Sequence, residues 1–475
     1  MFFCTPRQVA ALALSLTVFA NQAVVAEPLP QVAAPEETTA SDATANEPLD
    51  GRVTEQIAAA ITAAVDENFP VKASYGSKGF RLETRDGNWQ TNLKWRFQFR
   101  LTNPTTGAPR QVEDFEAKDK TTFEARRVRM KIGGHGYRPW LKYYFEVDLQ
   151  PTRESSESSS KASARVIDWR VDVAKYKAFG LRVGQWKIDY SRERVDSSGR
   201  QQFVDRSIAN RVFTVDRQVG VSFRGHLFEG TRADMKYSAG VFTGEGRGVS
   251  NDDTNMMYAG RLQWNFLGRD VPFRQSDVER TEHPAAALGF GAATQKGVCT
   301  RWSSSGCGNL DGFDEPGPGV DPDSAKVGQY RVVQAVQDLA FKWQGFSFQQ
   351  EFHWKRVTDR EEPSSSSLRD SDLFGGYAQA GYFFNEIFDF VPEELELAFR
   401  YAYVREPNKV IVSKNNKRRE YTAGANWFFA GHNNKLTLDY SYLTLNDSSY
   451  LTLNDSVESR NVSDHRTRLQ WDISF

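Results

Sequence analysis

The feature that most limits how this chain can fold is an alternation of apolar and charged residues, period two, repeated from about residue 79 onward. In 92–101, Leu93, Trp95, Phe97, Phe99 and Leu101 share one parity, and Asn92, Lys94, Arg96, Gln98 and Arg100 the other. Leu141, Tyr143, Phe145, Val147 and Leu149 oppose Lys142, Tyr144, Glu146 and Asp148. Ile167, Trp169, Val171 and Val173 oppose Asp168, Arg170 and Asp172, and the pattern returns at Leu395, Leu397, Phe399, Tyr401 and Tyr403. Successive side chains of a strand point to opposite faces, so each segment reads as a strand with one apolar and one charged face. A soluble sandwich packs the apolar face inward, whereas a membrane barrel turns it to lipid and leaves the charged face in the lumen. The period alone does not separate the two.

Loop lengths and the chain ends do. About 16 such segments follow one another, an even, porin-like number, near 89–101, 122–134, 139–150, 164–175, 180–187, 216–228, 233–245, 256–267, 284–294, 329–343, 346–358, 370–383, 395–406, 417–430, 433–446 and 463–475. Connections near 135–138, 176–179, 229–232, 344–345 and 431–432 are tight; those near 102–121, 151–163, 188–215, 295–328 and 447–462 are long. Short turns at one end and long loops at the other is the outer-membrane arrangement, with 268–283 and 384–394 as long turns on the short side. The repeat YLTLNDSS (442–449), YLTLNDSV (450–457) reads as a local duplication that lengthens a hairpin and leaves its register ambiguous. At the end, His465, Thr467, Leu469, Trp471, Ile473 and Phe475 oppose Arg466, Arg468, Gln470, Asp472 and Ser474. A last strand closing on an aromatic such as Phe475 resembles the signal read by the barrel-assembly machinery.

Residues 1–26 carry Arg7, an apolar run of about a dozen residues and small residues at Val24 and Ala26, the pattern of a cleaved signal peptide. Residues 27–78 are acidic and Pro/Ala-rich, with no apolar period apart from a short amphipathic stretch at 53–65. The expectation is therefore a signal peptide (1–26), a disordered periplasmic tail (27–78) and an all-β, 16-stranded antiparallel transmembrane barrel (79–475). It would sit in the outer membrane of a Gram-negative bacterium, against lipid and lipopolysaccharide. Lys plus Arg number 60 against 61 Asp plus Glu, so net charge points to no nucleic-acid partner. Cys299 and Cys307 stand close together in a Gly/Ser-rich segment, as a loop disulfide or as two free thiols.

For a pore, chemistry means the groups that line its narrow zone. The long third loop, 188–215, carries Arg192, Arg194, Arg200, Arg206 and Arg211, diluted by Asp189, Glu193, Asp196 and Asp205. Folded into the lumen it would either concentrate anions and offer bidentate donors to an oxyanion, or remain an ordinary solvated loop.

Two segments carry a family resemblance. FEARRVRMKIGGHGYRPWLKYYFEVDL (123–149) and LRVGQWKIDYSRERVDSSGRQQFVDRSIAN (181–210) resemble blocks of the phosphate-selective porin O and P family. The resemblance implies a homotrimeric channel for inorganic phosphate or other small anions. Arg126 and Arg127 match the family's paired arginines, and Asp168 its lumenal aspartate. Arg194 falls where the family's phosphate porins place a lysine, and Arg206 matches the constriction-loop arginine. Guanidinium groups there would replace water shed by phosphate, while a carboxylate accepts a hydrogen bond from its proton, which chloride lacks. By strand parity Arg127, Arg129 and Lys131 face the lumen, while Arg126 has the opposite parity. Arg96, Arg100, Arg170, Arg192 and Arg200 join them as secondary lining candidates, and Asp168 with Arg170 could simply be a wall ion pair. The chain departs from the family at 295–328, where an arginine ladder is replaced by Arg301 and by Asp311, Asp314, Glu315, Asp321 and Asp323.

The alternatives are a differently selective porin on the same scaffold, an outer-membrane enzyme and a soluble β-protein. None of His135, His226, His283, His353, His432 and His465 sits in a nucleophile motif or a metal-binding spacing, so the expectation is no enzyme, no metal and no cofactor.

Overall fold

The computed structural model describes residues 71–104, 109–110, 112–116, 121–149, 164–251, 253–304, 306–314, 324–407, 415–451 and 457–475. The expected signal peptide, most of the acidic tail and its amphipathic stretch lie outside them.

A hairpin, β1 (Val71–Gly76) and β2 (Gly79–Thr84), precedes the first long strands, β3 (Gln90–Asn103) and β4 (Thr122–His135). Then follow β5 (Leu141–Asp148), β6 (Arg165–Val173), β7 (Gly180–Lys187), β8 (Arg217–Leu227), β9 (Met235–Phe242), β10 (Met257–Trp264) and β11 (Ala285–Gly297). A small hairpin, β12 (Arg301–Ser303) and β13 (Gly306–Gly308), sits in the next loop. The chain ends with β14 (Tyr330–Trp343), β15 (Phe346–Asp359), β16 (Asp370–Tyr382), β17 (Leu395–Pro407), β18 (Asn415–Phe428), β19 (Asn434–Leu451) and β20 (Val457–Ser474). Every neighbouring pair in the main sheet is antiparallel, and β20 returns to β3 with Trp471 opposite Phe99 and Leu469 opposite Leu101. Of the 18 strands in that sheet two are β1 and β2, so 16 close the barrel. Phe475 seals the seam: its N–H donates to Trp95 O (3.1 Å), its carbonyl accepts from Trp95 N (2.7 Å), and its ring stacks on Phe97.

Parity decides inside from outside. Phe352 is 55 % exposed while Glu351 and His353 on either side are 2 % exposed, so the apolar face looks out to lipid and the polar face in. Closure leaves no sheet edge unpaired in the hydrocarbon layer, the condition for strands to cross it.

Three expectations need correcting. The tail was expected to run to residue 78, but strand already begins at Val71, and Phe80 pairs with Leu93 beside the stretch of β3 that β20 does not reach. The loop expected at 447–462 is mostly strand, with a bulge between Asp447 and Tyr450, because the duplicated YLTLNDS keeps the period of two. Ile167, expected on the lipid face, is 1 % exposed, because β6 bulges after Asp168 and resumes its pairing at Val166.

The long connection between β7 and β8 is the third extracellular loop of the barrel, and it folds inward. A loop at membrane depth must find partners for its own amides. The far wall supplies them. Glu351 on β15 accepts from Glu193 N (3.1 Å), Asp439 on β19 from Val204 N (2.9 Å), and Glu420 on β18 from Ile208 N (2.9 Å). Apolar residues of the same loop (Ile208, Val212 and Phe213) pack with Trp302, Val357, Leu373 and Val404 from the fifth loop and the wall. Wall glycines make room: a Cβ on Gly375 would lie 2.5 Å from the Phe213 ring, and one on Gly424 3.1 Å from that of Phe203. Cys299 and Cys307 form a disulfide that closes the small hairpin of the fifth loop, and Lys355 Nζ ties that loop to the third by donating to Thr300 O (2.8 Å) and Val212 O (2.6 Å).

The turn joining β10 to β11 also rises into the lumen. Arg192 donates to Pro272 O (2.9 Å), Gln202 N to Gln275 Oε1 (2.7 Å), and Lys342 Nζ to Ser276 O (2.6 Å). Third loop, fifth loop and this turn together fill the lumen in front of β10–β19. Open space remains along β3–β8 and, at the turn end of the barrel, in a chamber of about 860 Å3 beneath the inward turn, lined by Arg274, Lys342 and His432 and reaching Lys94 and Arg200.

Candidate functional site

Along β3–β8 the open space forms two contiguous chambers. The first is lined by Lys94, Arg96, Lys131, Tyr144, Arg170, Ser197 and Arg200, and reaches the β18–β19 turn at His432 and Asn433. The second, about 500 Å3, shares Lys131, Tyr144, Arg170, Ser197 and Arg200 and adds Arg129, Glu146, Asp168, Arg182, Trp186, Lys187, Asp189, Asp196, Arg217 and Phe273. Wall strands supply one side, and the third-loop tip with residues 272–274 of the inward turn the other.

A bulge places the paired arginines. Gln98 lies opposite Arg127 but Phe99 opposite Ala125, so Arg126 is the extra residue on β4. Its guanidinium pairs with Glu124 (3.5 Å), which lies opposite lumenal Arg100. Arg126 therefore shares the lumenal side with Arg127, against the simple parity expectation. Arg127 donates to Gln98 Oε1, a neutral acceptor.

Most other candidates already carry an acid. Asp168 accepts two bonds from Arg217 (3.1 and 2.8 Å), a residue the sequence reading missed, rather than pairing with Arg170. Arg170 reaches Asp172 (3.4 Å) and lies 4.3 Å from the Tyr144 ring centroid. Arg194 is buried against Asp216. Arg96 grips Asp472 (2.9 and 2.7 Å) and Ser198 Oγ (2.9 Å), holding the loop tip to the seam. Arg100 binds Asp205 (3.0 Å) and Val204 O (2.9 Å), and Arg129 pairs with Asp148 (2.9 Å) and Glu146 (3.2 Å). Arg192 lines nothing: fully buried, it shares Asp338 with Arg261 in the filled half and is a loop anchor.

A smaller set has no carboxylate to itself. Arg206 donates to Glu193 O (3.0 Å) and Asp196 O (2.8 Å), so it braces the loop through neutral carbonyls. Burial and the neighbouring Arg194 lower it only to about 10, leaving it charged at neutral pH. Lys94 donates to Ser77 O (2.9 Å) and Asn433 Oδ1 (2.6 Å), and Lys187 to Asp196 O (3.1 Å). Lys131 is 3.9 Å from a Glu146 that Arg129 already holds. Arg200 is exposed at the loop tip in both chambers. Asp196, which lies among these cations, is pushed up by burial, partly offset by Arg200 and Lys187. Cations with neutral partners, or with a partner shared with another cation, gather from the wall strands and the third loop around the loop tip.

In the fifth loop, Asp311 pairs with Arg110 (3.0 Å) and Arg301 donates to Asn309 O (2.7 Å); Glu315, Asp321 and Asp323 lie outside the described residues.

A closed barrel of antiparallel strands, apolar outside and charged inside, narrowed by an inward third loop, defines an outer-membrane porin. The model of the family described as phosphate-selective porin O and P matches residues 107–473, and the chain belongs to that family. The protein is thus a channel of the outer membrane of a Gram-negative bacterium. None of the curated proteins matches it. Among solved structures the chain is similar to OmpF of Salmonella typhi in complex with daunomycin, with TM-score 0.51 and 13% identity over 83% of this chain and 100% of that one. It is also similar to an anion-selective porin from Comamonas acidovorans (TM-score 0.49, 11% identity, 81% and 99% covered). The outer-membrane channel DcaP of Acinetobacter baumannii is comparable (TM-score 0.49, 12% identity, 81% and 97% covered). At these identities the likeness concerns the fold alone.

Proposed function

We propose that this channel passes small anions by diffusion, inorganic phosphate or other oxyanions among them, along the β3–β8 half of the lumen. The observation that carries the reading is the cluster of Lys94, Lys131, Lys187 and Arg200 at the third-loop tip, whose partners are neutral or shared. Arg126, Arg127 and Arg206 add donors above it. Asp168 and Arg194, held by Arg217 and Asp216, would shape the wall rather than contact the solute. The homotrimer, the cleaved signal peptide ending at Ala26 and recognition of Phe475 by the assembly machinery belong to the same proposal; the trimer rests on family membership.

The test is the zero-current potential of the purified mature protein in a planar bilayer under a KCl gradient, followed by titration with phosphate. Chloride preference with block at low phosphate supports an oxyanion channel. Chloride preference without block supports the same scaffold serving another anion. Potassium preference refutes the proposal.

A further inference from the structure

We infer that the second chamber is a binding site for organic anions with an aromatic body, aromatic carboxylates being the simplest class; this deepens the anion reading and rests on it. A bare oxyanion has no apolar surface to bury, and cations alone would serve it. This chamber instead sets apolar rings beside its cations. Tyr144 from the wall and Phe273 from the inward turn both face it, with Trp186 behind the loop.

The rings are held in place. Arg192 and Arg261 guanidiniums lie 5.0 and 5.4 Å from the Phe273 centroid, and Arg192 also grips Pro272 O. The Tyr144 hydroxyl donates to Glu146 (2.7 Å) while Arg170 lies over its ring. Three of the four acids lining it are held by arginines: Asp168 by Arg217, Glu146 by Arg129 and Asp189 by Arg224 (2.8 Å); the fourth, Asp196, is buried and accepts from Ser197 N (2.7 Å). Lys131, Arg170 and Arg200 are thus placed to receive a carboxylate whose ring packs on Phe273 or Tyr144. The volume, about 500 Å3, falls inside the range of roughly 300–1,000 Å3 of small organic ligand sites.

Chloride current through the mature protein in a planar bilayer, with benzoate or acetate added, reads the site out. Benzoate should block at about tenfold lower concentration than acetate, the order an aromatic contact supplies. Phe273→Ala should bring the two together, and Phe273→Tyr should keep them apart; the chloride current itself shows that each variant has folded. Equal block by benzoate and acetate in a channel that still prefers chloride overturns this site and leaves the anion reading standing. A Phe273→Ala channel that still separates the two also overturns it. A channel with no chloride preference and no block overturns both.

Discussion

The two halves of the lumen are built from the same kind of wall and put to different use. Along β10–β19 the inward-facing acids Asp338, Glu351, Glu396, Glu420 and Asp439 satisfy arginines, amides and backbone N–H groups of the inserted segments. Above the inward turn that half is filled, and its charges serve cohesion. Along β3–β8 the acids Asp148, Asp168 and Asp172, with Asp472 on the adjoining β20, pair with wall arginines, and a remainder of cations faces open space. Selectivity therefore depends less on how many arginines the lumen holds than on which ones the acids leave over.

Changes in the filled half should cost stability. Asp338 is shared by Arg192 and Arg261, all buried. Removing one partner of a buried ion pair costs about 3–5 kcal/mol, so Asp338→Ala should markedly lower the unfolding midpoint of the folded barrel and release the third loop to protease. An unchanged midpoint would show that this half is not held by its ion pairs. Reducing the Cys299–Cys307 bond comes next: opening a short closed loop is worth about 2–3 kcal/mol. Proteolysis should speed up in the fifth loop, with little effect on ion selectivity. A large selectivity change would place that loop in the conduction path.

Changes in the open half should alter ion preference. Arg200→Glu changes the charge by two units, and two units at about 6 Å from a passing ion in a water-like medium amount to about 1.4 kcal/mol. That energy disfavours an anion and favours a cation, so the anion-to-cation permeability ratio should fall by up to about a hundredfold at low salt, and by less at high salt, where screening takes over. Arg192→Gln, in the filled half, should leave that ratio near its original value while loosening the loop. Equal effects of the two substitutions would erase the distinction between the halves.

The strands were legible in the sequence because a period of two requires no knowledge of partners, and all 16 barrel strands fall where the alternation put them. The bulges were not. The extra residues at Arg126 and Ile167 turn those two side chains to the lumen against the alternation, and nothing local announces them. Loop order identified the third loop, but its path depended on what it docks against. The signal was present in Gly375, Gly381 and Gly424, glycines in wall strands where a loop side chain approaches closely. The partners of Asp168 and Arg194 were hidden for a related reason. Arg217 and Asp216 enter from β8 and the residue just before it, and only barrel geometry brings them across. The inward turn was visible only as unusual length at 268–283.

The central claim, that ions follow the β3–β8 half, is tested most directly by single-cysteine accessibility. Lys131→Cys in the open half and Thr437→Cys in the filled half would each be exposed, in a planar bilayer, to a small negatively charged thiol reagent while current is recorded. A current that falls at position 131 and stays constant at 437 is the expected result. Block at 437 with none at 131 would place the conduction path on the other side of the third loop and contradict the account.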